Sequence, residues 1–181
     1  MKTLVESAKA AKAASLELAR LTTEAKNAAL RAMARALMEK SPEILAANEA
    51  DMQRGREGGM PESLLDRLML NEARIAGMAE GLEQVADLPD PVGRVMDEWT
   101  RPNGLVIRKV RVPMGVIGII YEARPNVTVD AAALAFKAGS AILLRGSSSA
   151  YESNAALVRV MRGALEGCGV TPDAVCLVED P

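Results

Sequence analysis

Apolar residues in the first half of the chain recur at helical spacing. "TLVE" offers Thr3 and Glu6 as a capping box ahead of an alanine-rich run. Further along, apolar side chains lie three and four residues apart: Leu30, Met33, Leu37 and Met38. The sequence from residue 3 to about 86 is therefore predicted to be helical, with these stripes packed into a core.

Three signals divide this helical region. Ser41-Pro42 is predicted to restart a helix, with Ser41 as the N-cap and Pro42 in the first turn. The segment "RGREGGMP", residues 54–61, is predicted to be a loop because it combines three glycines with a proline. Asn71 is predicted to cap a further helix, whose apolar stripe consists of Ile75, Met78, Leu82 and Val85.

The pattern changes at "LPDPVGRV", residues 88–95, where two prolines mark a boundary. "VMDEW" and "LVIRKVRV" then flank "TRPNG", and the Asn103-Gly104 step is a strong hairpin signal. One side of the second arm carries Val106, Arg108, Val110 and Val112, and the other carries Ile107, Lys109 and Arg111. Since neither side is purely apolar, two interpretations stay open: an arm that pairs with a partner chain, and an edge hairpin on its own domain.

After Pro113 the predicted elements alternate. They are a strand "VIGIIY", a helix over residues 127–138, a strand "SAILLR", a helix over 152–166 and a strand "AVCLV". Alternation at these lengths predicts an α/β fold with a parallel, doubly wound sheet and right-handed crossovers. Ligands bind such sheets at the carboxyl ends of the strands, so "EARPN" and "RGSSS" are predicted to lie where a ligand binds.

Composition excludes several classes of partner. Lys and Arg total 22 against 24 Asp and Glu, a net charge of -2, so no nucleic-acid partner is expected. Glu6 and Lys9 interrupt the position where a signal peptide needs an apolar run, and no stretch approaches the length of a membrane span. We therefore expect a soluble cytoplasmic protein with no membrane partner.

The chain contains no histidine and two cysteines. The absence of histidine excludes Ser-His-Asp triads, Cys-His pairs and two-histidine zinc sites within this sequence. The cysteines show no metal-ligand spacing, so no metal site is expected. Cys168 follows a predicted helix and Cys176 lies in an apolar strand, and both positions favour a structural role.

The residues at the end of the predicted strand "SAILLR" suit the binding of a phosphate or a ribose. No GxGxxG follows any of the strands, so a nucleotide must be held in another way. "RGSSS" supplies the guanidinium of Arg145, close backbone approach at Gly146, and the hydroxyls of Ser147 and Ser148. The alternative is a solvated loop with an N-cap.

The residues after the predicted strand "VIGIIY" carry an amide and a guanidinium. Asn126 is placed to donate an N–H to an oxyanion in acyl transfer, although Pro-Asn is also an ordinary turn dipeptide. Arg124 is a candidate for contact with an anionic substrate. Its alternative is an ion pair with Glu122 or a neighbouring carboxylate.

"VRVPMGVIGIIYEARPNVTVDAAALAFKAGSAILLRGSSSAYESN" resembles the gamma-glutamyl phosphate reductase (glutamate-5-semialdehyde dehydrogenase) family of the aldehyde dehydrogenase superfamily. The resemblance extends across the whole chain and is most specific in "YEARPNVTVDAAAL". It implies NADPH-dependent reduction of L-glutamate 5-phosphate to L-glutamate 5-semialdehyde and phosphate, in proline biosynthesis. In that family a cysteine thiolate displaces the phosphate to give a thioester, which is then reduced.

The resemblance also implies a division of the chain. Residues 1–94 are expected to be the N-terminal helical part of a cofactor-binding domain, and residues 95–112 a β-hairpin arm that joins a homo-oligomer. Residues 113–181 are expected to be a Rossmann-like βαβαβ part of the same domain. Neither Cys168 nor Cys176 matches the family's nucleophile, so the chain is expected to be an N-terminal fragment, inactive alone, without the catalytic domain.

The family's functional positions transfer to two short segments. The resemblance places Asn126 at the oxyanion, Arg124 at the substrate, and Ala123 and Pro125 in a segment, 122–125, that lines the nicotinamide side. It places Arg145 at the position of a superfamily lysine that contacts the adenosine ribose. The resemblance implies that an arginine at this position favours the 2′-phosphate of NADPH. The residues expected alongside are Gly146, Ser147 and Ser148. Two alternatives stay open: another NAD(P)-dependent aldehyde dehydrogenase, and a non-enzymatic short module that docks on a full-length partner.

Overall fold

Helices fill the N-terminal half of the structure, a computed structural model that describes residues 3–178. They are α1 (Leu4–Leu18), α2 (Thr23–Glu39), α3 (Ser41–Glu57), α4 (Glu62–Leu68) and α5 (Glu72–Asp87). The predicted capping box is confirmed, since the Thr3 side chain accepts from the Glu6 N–H and the Glu6 carboxylate accepts from the Thr3 N–H. Asn71 caps α5 as predicted, through a 2.8 Å bond from the Arg74 N–H.

Two predictions about α3 are wrong. Ser41 is its first residue, and the N-cap is Lys40, because the Lys40 N–H still bonds to α2 while its carbonyl already accepts from Ile44. Residues 54–57 are helical, so the predicted loop shrinks to a turn at Gly58 and Gly59. A Cβ on Gly55 would lie 3.0 Å from a methyl of Leu65, so this glycine serves the close approach of α3 and α4 and does not end the helix.

The predicted hairpin forms a separate two-stranded sheet. β1 (Val95–Thr100) pairs antiparallel with β2 (Val106–Val110), and Gly104 closes the turn with a φ of +84°. Nearly every residue of both strands is exposed, including Trp99 at 42%. These strands are not joined to the other described sheet, and both interpretations, an arm that pairs with a partner chain and an edge hairpin on its own domain, stay predictions.

A parallel sheet forms the C-terminal part. β3 (Val116–Ile120), β4 (Ala141–Arg145) and β5 (Val175–Leu177) lie in that order, linked by α6 (Pro125–Lys137) and α7 (Tyr151–Gly167). Right-handed crossovers between neighbouring parallel strands place both helices on one side, and α1 contacts all three strands. The predicted α/β alternation is confirmed, although α6 begins at Pro125, two residues earlier than expected.

A buried polar cluster joins the helical half to α6. The ammonium of Lys26 pairs with the Asp90 carboxylate and donates to the Lys137 carbonyl at 3.3 Å. The ammonium of Lys137 donates to Asn27 at 2.6 Å and to the Ala86 carbonyl at 2.7 Å. Burial lowers the pKa of Lys137, and the nearby Asp90 carboxylate partly offsets this effect. The cluster fixes α2, the end of α5 and the end of α6 at one point.

Residues 3–178 include neither a helix fit to span a membrane nor a group of metal-ligating side chains. No helix within residues 3–178 combines the length and the apolar character that a membrane crossing requires. In the same range, no three Cys, Asp or Glu side chains are grouped as metal ligands would be.

Candidate functional site

The two predicted ligand segments leave the sheet side by side. Ile120 and Arg145 are register partners at the carboxyl ends of β3 and β4, and the Tyr121 N–H donates to the Arg145 carbonyl at 3.0 Å. We call residues 121–124 the β3 loop and residues 146–150 the β4 loop. The prediction that "EARPN" and "RGSSS" share one edge of the sheet is confirmed.

A chain of hydrogen bonds holds the two loops in place. The Tyr121 hydroxyl is 2.6 Å from the Thr128 hydroxyl, which donates to the Asn154 side-chain oxygen at 2.9 Å. Burial raises the pKa of Tyr121, and the bond with Thr128 partly offsets it, so the phenol is neutral at pH 7. The sequence analysis missed Thr128 and Asn154, whose only signal is a polar residue at a core-facing helical position.

Gly146 lies against this chain. A Cβ there would be 2.2 Å from the Asn154 amide nitrogen and 3.2 Å from the Tyr121 ring. Real Cβ atoms do not approach so closely, so packing alone requires glycine here. The predicted close approach of this backbone to a ligand stays a prediction.

Arg145 and Ser148 are the residues of this segment that remain open to a ligand. Arg145 is half-buried, and its guanidinium makes no ion pair with any residue of the range 3–178. Ser148 is exposed. Ser147 caps a short 3-10 turn, where its hydroxyl accepts from the Ser149 N–H at 3.4 Å and lies 2.8 Å from the Ser149 hydroxyl. The N-cap alternative is therefore realised for Ser147.

The N-terminus of α7 is already occupied by a carboxylate. Asp51, which is fully buried, accepts from the Ser153 N–H at 2.8 Å and the Ser153 hydroxyl at 2.6 Å. It also accepts from the Glu152 N–H at 3.3 Å. Nucleotide-binding sheets commonly place a pyrophosphate at such a helix start, and Asp51 fills that position here. The start of α7 is therefore not open to a pyrophosphate.

Replacing Asp51 by alanine is expected to destabilise the start of α7 by about 2–4 kcal/mol, because two backbone N–H groups lose a charged acceptor. Native-state hydrogen exchange of the Glu152 and Ser153 amides measures the local free energy. The matched control is Glu49→Ala on the same helix, an exposed side chain paired with Arg56, which is expected to cost under about 0.5 kcal/mol. Equal exchange in the two variants would contradict a capping role for Asp51.

The β3 loop leads into the first turn of α6. Pro125 is buried at the start of the helix, and Ala123 packs against a small cluster of Met52, Leu65, Leu68 and Ala150. Asn126 is exposed and donates to the Asp130 carboxylate over a long 3.4 Å. Arg124 is exposed and does not pair with Glu122; the carboxylate of Glu122 lies 3.9 Å from Arg67.

A cavity of about 440 Å³ opens between the start of α6 and the α4–α5 connection. Its charged and amide lining consists of Asp66, Arg67, Arg74, Arg124, Asn126 and Asp130. Arg124 and Asn126 were predicted from the sequence as site residues, and the other four were not. Desolvation raises the pKa of Asp130, and the Asn126 amide partly offsets it. The expected substrate contact of Arg124 and the oxyanion role of Asn126 therefore fall on one cavity, and both stay predictions.

Both cysteines lie away from this cavity. Cys168 is exposed at the C-terminal end of α7, the end opposite to the β4 loop. Cys176 is buried in β5 and donates to the Asp173 carbonyl at 3.3 Å. Neither cysteine lines the cavity that contains Asn126. Their predicted structural role stays a prediction.

The chain is similar in sequence to curated gamma-glutamyl phosphate reductases. No protein-family model matches the chain. The curated gamma-glutamyl phosphate reductase of Anoxybacillus flavithermus is 53% identical over 180 residues, which make up 99% of this chain and 44% of the relative. The chain therefore spans less than half the length of this relative.

The fold is similar to the folds of solved structures. The crystal structure of gamma-glutamyl phosphate reductase from Thermotoga maritima matches with a TM-score of 0.96 and 47% identity, over 99% of this chain and 43% of that one. A propionaldehyde dehydrogenase from Clostridium phytofermentans matches with a TM-score of 0.69 at 14% identity, over 100% of this chain and 38% of that one. The second likeness shows the fold alone. The expected aldehyde dehydrogenase type of α/β fold is confirmed.

Proposed function

We propose that the chain belongs to the gamma-glutamyl phosphate reductase family and forms the cofactor-binding part of an enzyme that reduces L-glutamate 5-phosphate. The products are L-glutamate 5-semialdehyde and phosphate, the reductant is NADPH, and the pathway is proline biosynthesis. The expected location is the cytoplasm. The domain division at residues 94 and 112 is part of this proposal.

One observation supports the proposal most strongly: the β3 and β4 loops leave neighbouring strands at the same edge of the sheet. An anion-binding guanidinium, Arg145, follows one strand, and an amide donor, Asn126, follows the other. A reductase of acyl phosphates that uses NADPH needs its nucleotide contacts and its carbonyl contacts on one edge of the fold, so that the nicotinamide end of the cofactor reaches the carbonyl while the adenosine end is held further along.

The residues present fit NADPH in a particular way. Since Asp51 occupies the N-terminus of α7, that helix is not available to the pyrophosphate. Arg145 and Ser148 are open, and a guanidinium with a hydroxyl suits the adenosine ribose and its 2′-phosphate. When bound, NADPH supplies the hydride for the reduction. Ala123 and Pro125 line the segment proposed for the nicotinamide side.

The proposed work of this chain is to orient the substrate and to stabilise charge. As the carbonyl of the acyl phosphate is attacked, negative charge develops on its oxygen, and the amide of Asn126 donates a hydrogen bond to it. The bond from Asn126 to Asp130 is long, at 3.4 Å, so the amide exchanges partners at little cost. Arg124 attracts the anionic substrate into the same cavity. Overall, the acyl phosphate, NADPH and a proton give the aldehyde, NADP⁺ and phosphate.

The hairpin formed by β1 and β2 is proposed to pair with a second copy of the enzyme. Its strands expose apolar side chains on a two-stranded sheet that is separate from β3–β5, among them Val95, Trp99, Val106 and Val110. Such a surface is typical of a segment that another chain covers. Deletion of the hairpin tests this proposed contact. The readout is the mass of the enzyme in solution, measured by light scattering.

The direct experiment uses the complete enzyme with freshly generated L-glutamate 5-phosphate. The proposal predicts that one phosphate is released for each NADPH oxidised, and that glutamate without its phosphate supports no oxidation. NADPH oxidation without phosphate release would contradict the proposed reaction.

Replacing Arg145 by alanine is expected to raise the KM for NADPH about 10- to 100-fold, because a charged contact to the 2′-phosphate is lost. The KM for NADH is expected to change less than about twofold, since NADH lacks that phosphate. Arg159→Ala, an exposed arginine of α7, is the matched control and should leave both values unchanged. An equal rise for both cofactors would remove Arg145 from cofactor selection.

A further inference from the structure

The cavity beside Asn126 contains one pair of charges that already neutralise each other. The guanidinium of Arg74 lies 2.9 Å from the Asp66 carboxylate and also donates to the carbonyls of Asp66 and Met69, the latter at 2.7 Å. These bonds hold the α4–α5 connection against the start of α5. Arg74 and Asp66 therefore form a fixed wall of the cavity.

The remaining charges in the cavity are not matched within it. The carboxylate of Asp130 pairs with no cation in the range 3–178, and its bond there is the long one from Asn126. Arg124 likewise makes no ion pair in that range. Arg67 is 3.9 Å from Glu122, whose side chain is 83% exposed, and such a pair is weak. The cavity thus offers an anion and two guanidinium groups to whatever enters it.

This arrangement is complementary to a zwitterion. Asp130 is exposed to the cavity, and partial desolvation raises its pKa, while the long hydrogen bond from Asn126 offsets this effect only in part. An entering ammonium would offset it further, and a carboxylate beside it would meet the guanidinium groups. A substrate with a single anionic end would leave Asp130 facing a like charge or none.

We propose that Asp130 binds the α-ammonium group of the substrate while Arg124 and Arg67 bind its α-carboxylate, so that this cavity selects an α-amino acid derivative. The inference rests on the proposed function and names the part of the substrate that each side chain recognises. Asp130 is a specificity residue, because it contacts the end of the substrate that does not react.

The spacing along α6 agrees with this assignment. Asn126 and Asp130 are four residues apart on one side of the helix, about 6 Å along its axis. In a glutamyl derivative, two methylene groups separate the α-carbon from the reacting carbonyl. One side chain can therefore hold the ammonium while the other donates to the carbonyl oxygen.

The test is Asp130→Asn in the complete enzyme, assayed as phosphate-dependent aldehyde oxidation with NADP⁺. Two substrates are compared: L-glutamate 5-semialdehyde and 5-oxopentanoate, the same aldehyde without the amino group. The wild type is expected to prefer the amino substrate. In the variant, kcat/KM for that substrate is expected to fall about 10- to 100-fold, and kcat/KM for 5-oxopentanoate should stay within about twofold.

Two further variants keep the outcome decisive. Glu72→Gln removes a carboxylate from α5 outside the cavity lining, and it should leave the ratio of the two substrates unchanged. Asp130→Glu keeps the charge but displaces it by one methylene, so it should show a selective loss of the same kind and smaller size. If Asp130→Asn does not fold, the Asp130→Glu result decides.

Equal losses on both substrates would overturn the inference, because a structural role does not distinguish them. A wild type with equal kcat/KM for both aldehydes would overturn it as well. These failures differ from failure of the proposed function, in which the wild type would not oxidise glutamate semialdehyde with phosphate and NADP⁺ at all.

Discussion

Replacing Asn126 by alanine in the complete enzyme is expected to lower kcat by about 10²- to 10³-fold, the usual effect of removing one oxyanion donor. The side chain is exposed and makes one long hydrogen bond, so stability should hardly change. The KM for NADPH should also stay the same, because the proposed contact of the amide is with the carbonyl and not with the nucleotide. Steady-state kinetics with both substrates varied measures the two effects separately.

An isosteric variant separates donor chemistry from shape. Asn126→Asp keeps the outline of the side chain but replaces the N–H donor by a carboxylate, so it should lose at least as much activity as the alanine variant. Asn103→Ala, in the hairpin turn, is the matched control with no expected effect on kcat. A loss below about threefold in both Asn126 variants would show that this amide is not the oxyanion donor.

Replacing Asp90 by asparagine is expected to destabilise the fold by about 3–5 kcal/mol, because the buried ammonium of Lys26 loses its carboxylate partner. The ammonium of Lys137 lies in the same cluster, so two positively charged ammonium groups remain there once the charge of Asp90 is removed. Denaturant unfolding measures the change. Asp87→Asn, an exposed carboxylate paired with Arg31, is the control and should cost under about 1 kcal/mol.

The contribution of Asp90 also depends on pH. Burial alone would raise its pKa, but hydrogen bonds from Lys26, the Val92 N–H and Thr23 outweigh burial and hold it below the ordinary 3.8. Below pH 3.8 the unfolded chain therefore binds the proton first, and stability falls as the pH drops through the folded-state pKa. The difference between wild type and Asp90→Asn should be constant above about pH 5 and shrink at lower pH. A difference that grows on acidification would contradict this sign.

The order of helices and strands could be predicted because each depends on a local pattern. Ile75, Met78 and Leu82 lie on one side of α5, and the alternation after Pro113 specifies a parallel sheet. The errors occurred where tertiary packing decided the outcome. Gly55 was predicted to lie in a loop. It lies within α3, where the absence of a side chain leaves room for Leu65 of α4.

The candidate site could be predicted only in part, for a related reason. Arg124, Asn126 and Arg145 follow predicted strands, so their position at one edge of the sheet follows from the topology. Asp51 and Asp130 carry no such signal, since each resembles an ordinary surface carboxylate on an amphipathic helix. The role of Asp51 depends on partners about 100 residues away along the chain. The proposed role of Asp130 depends on the other residues that line the cavity.

The phosphate requirement tests the central claim most directly. The complete enzyme is incubated with NADP⁺ and L-glutamate 5-semialdehyde, and the initial rate is measured as the phosphate concentration rises from zero. An enzyme of acyl phosphates should show no NADP⁺ reduction without phosphate and a saturable rise with it. Sustained turnover in phosphate-free buffer would contradict the account and identify the protein as an ordinary aldehyde dehydrogenase.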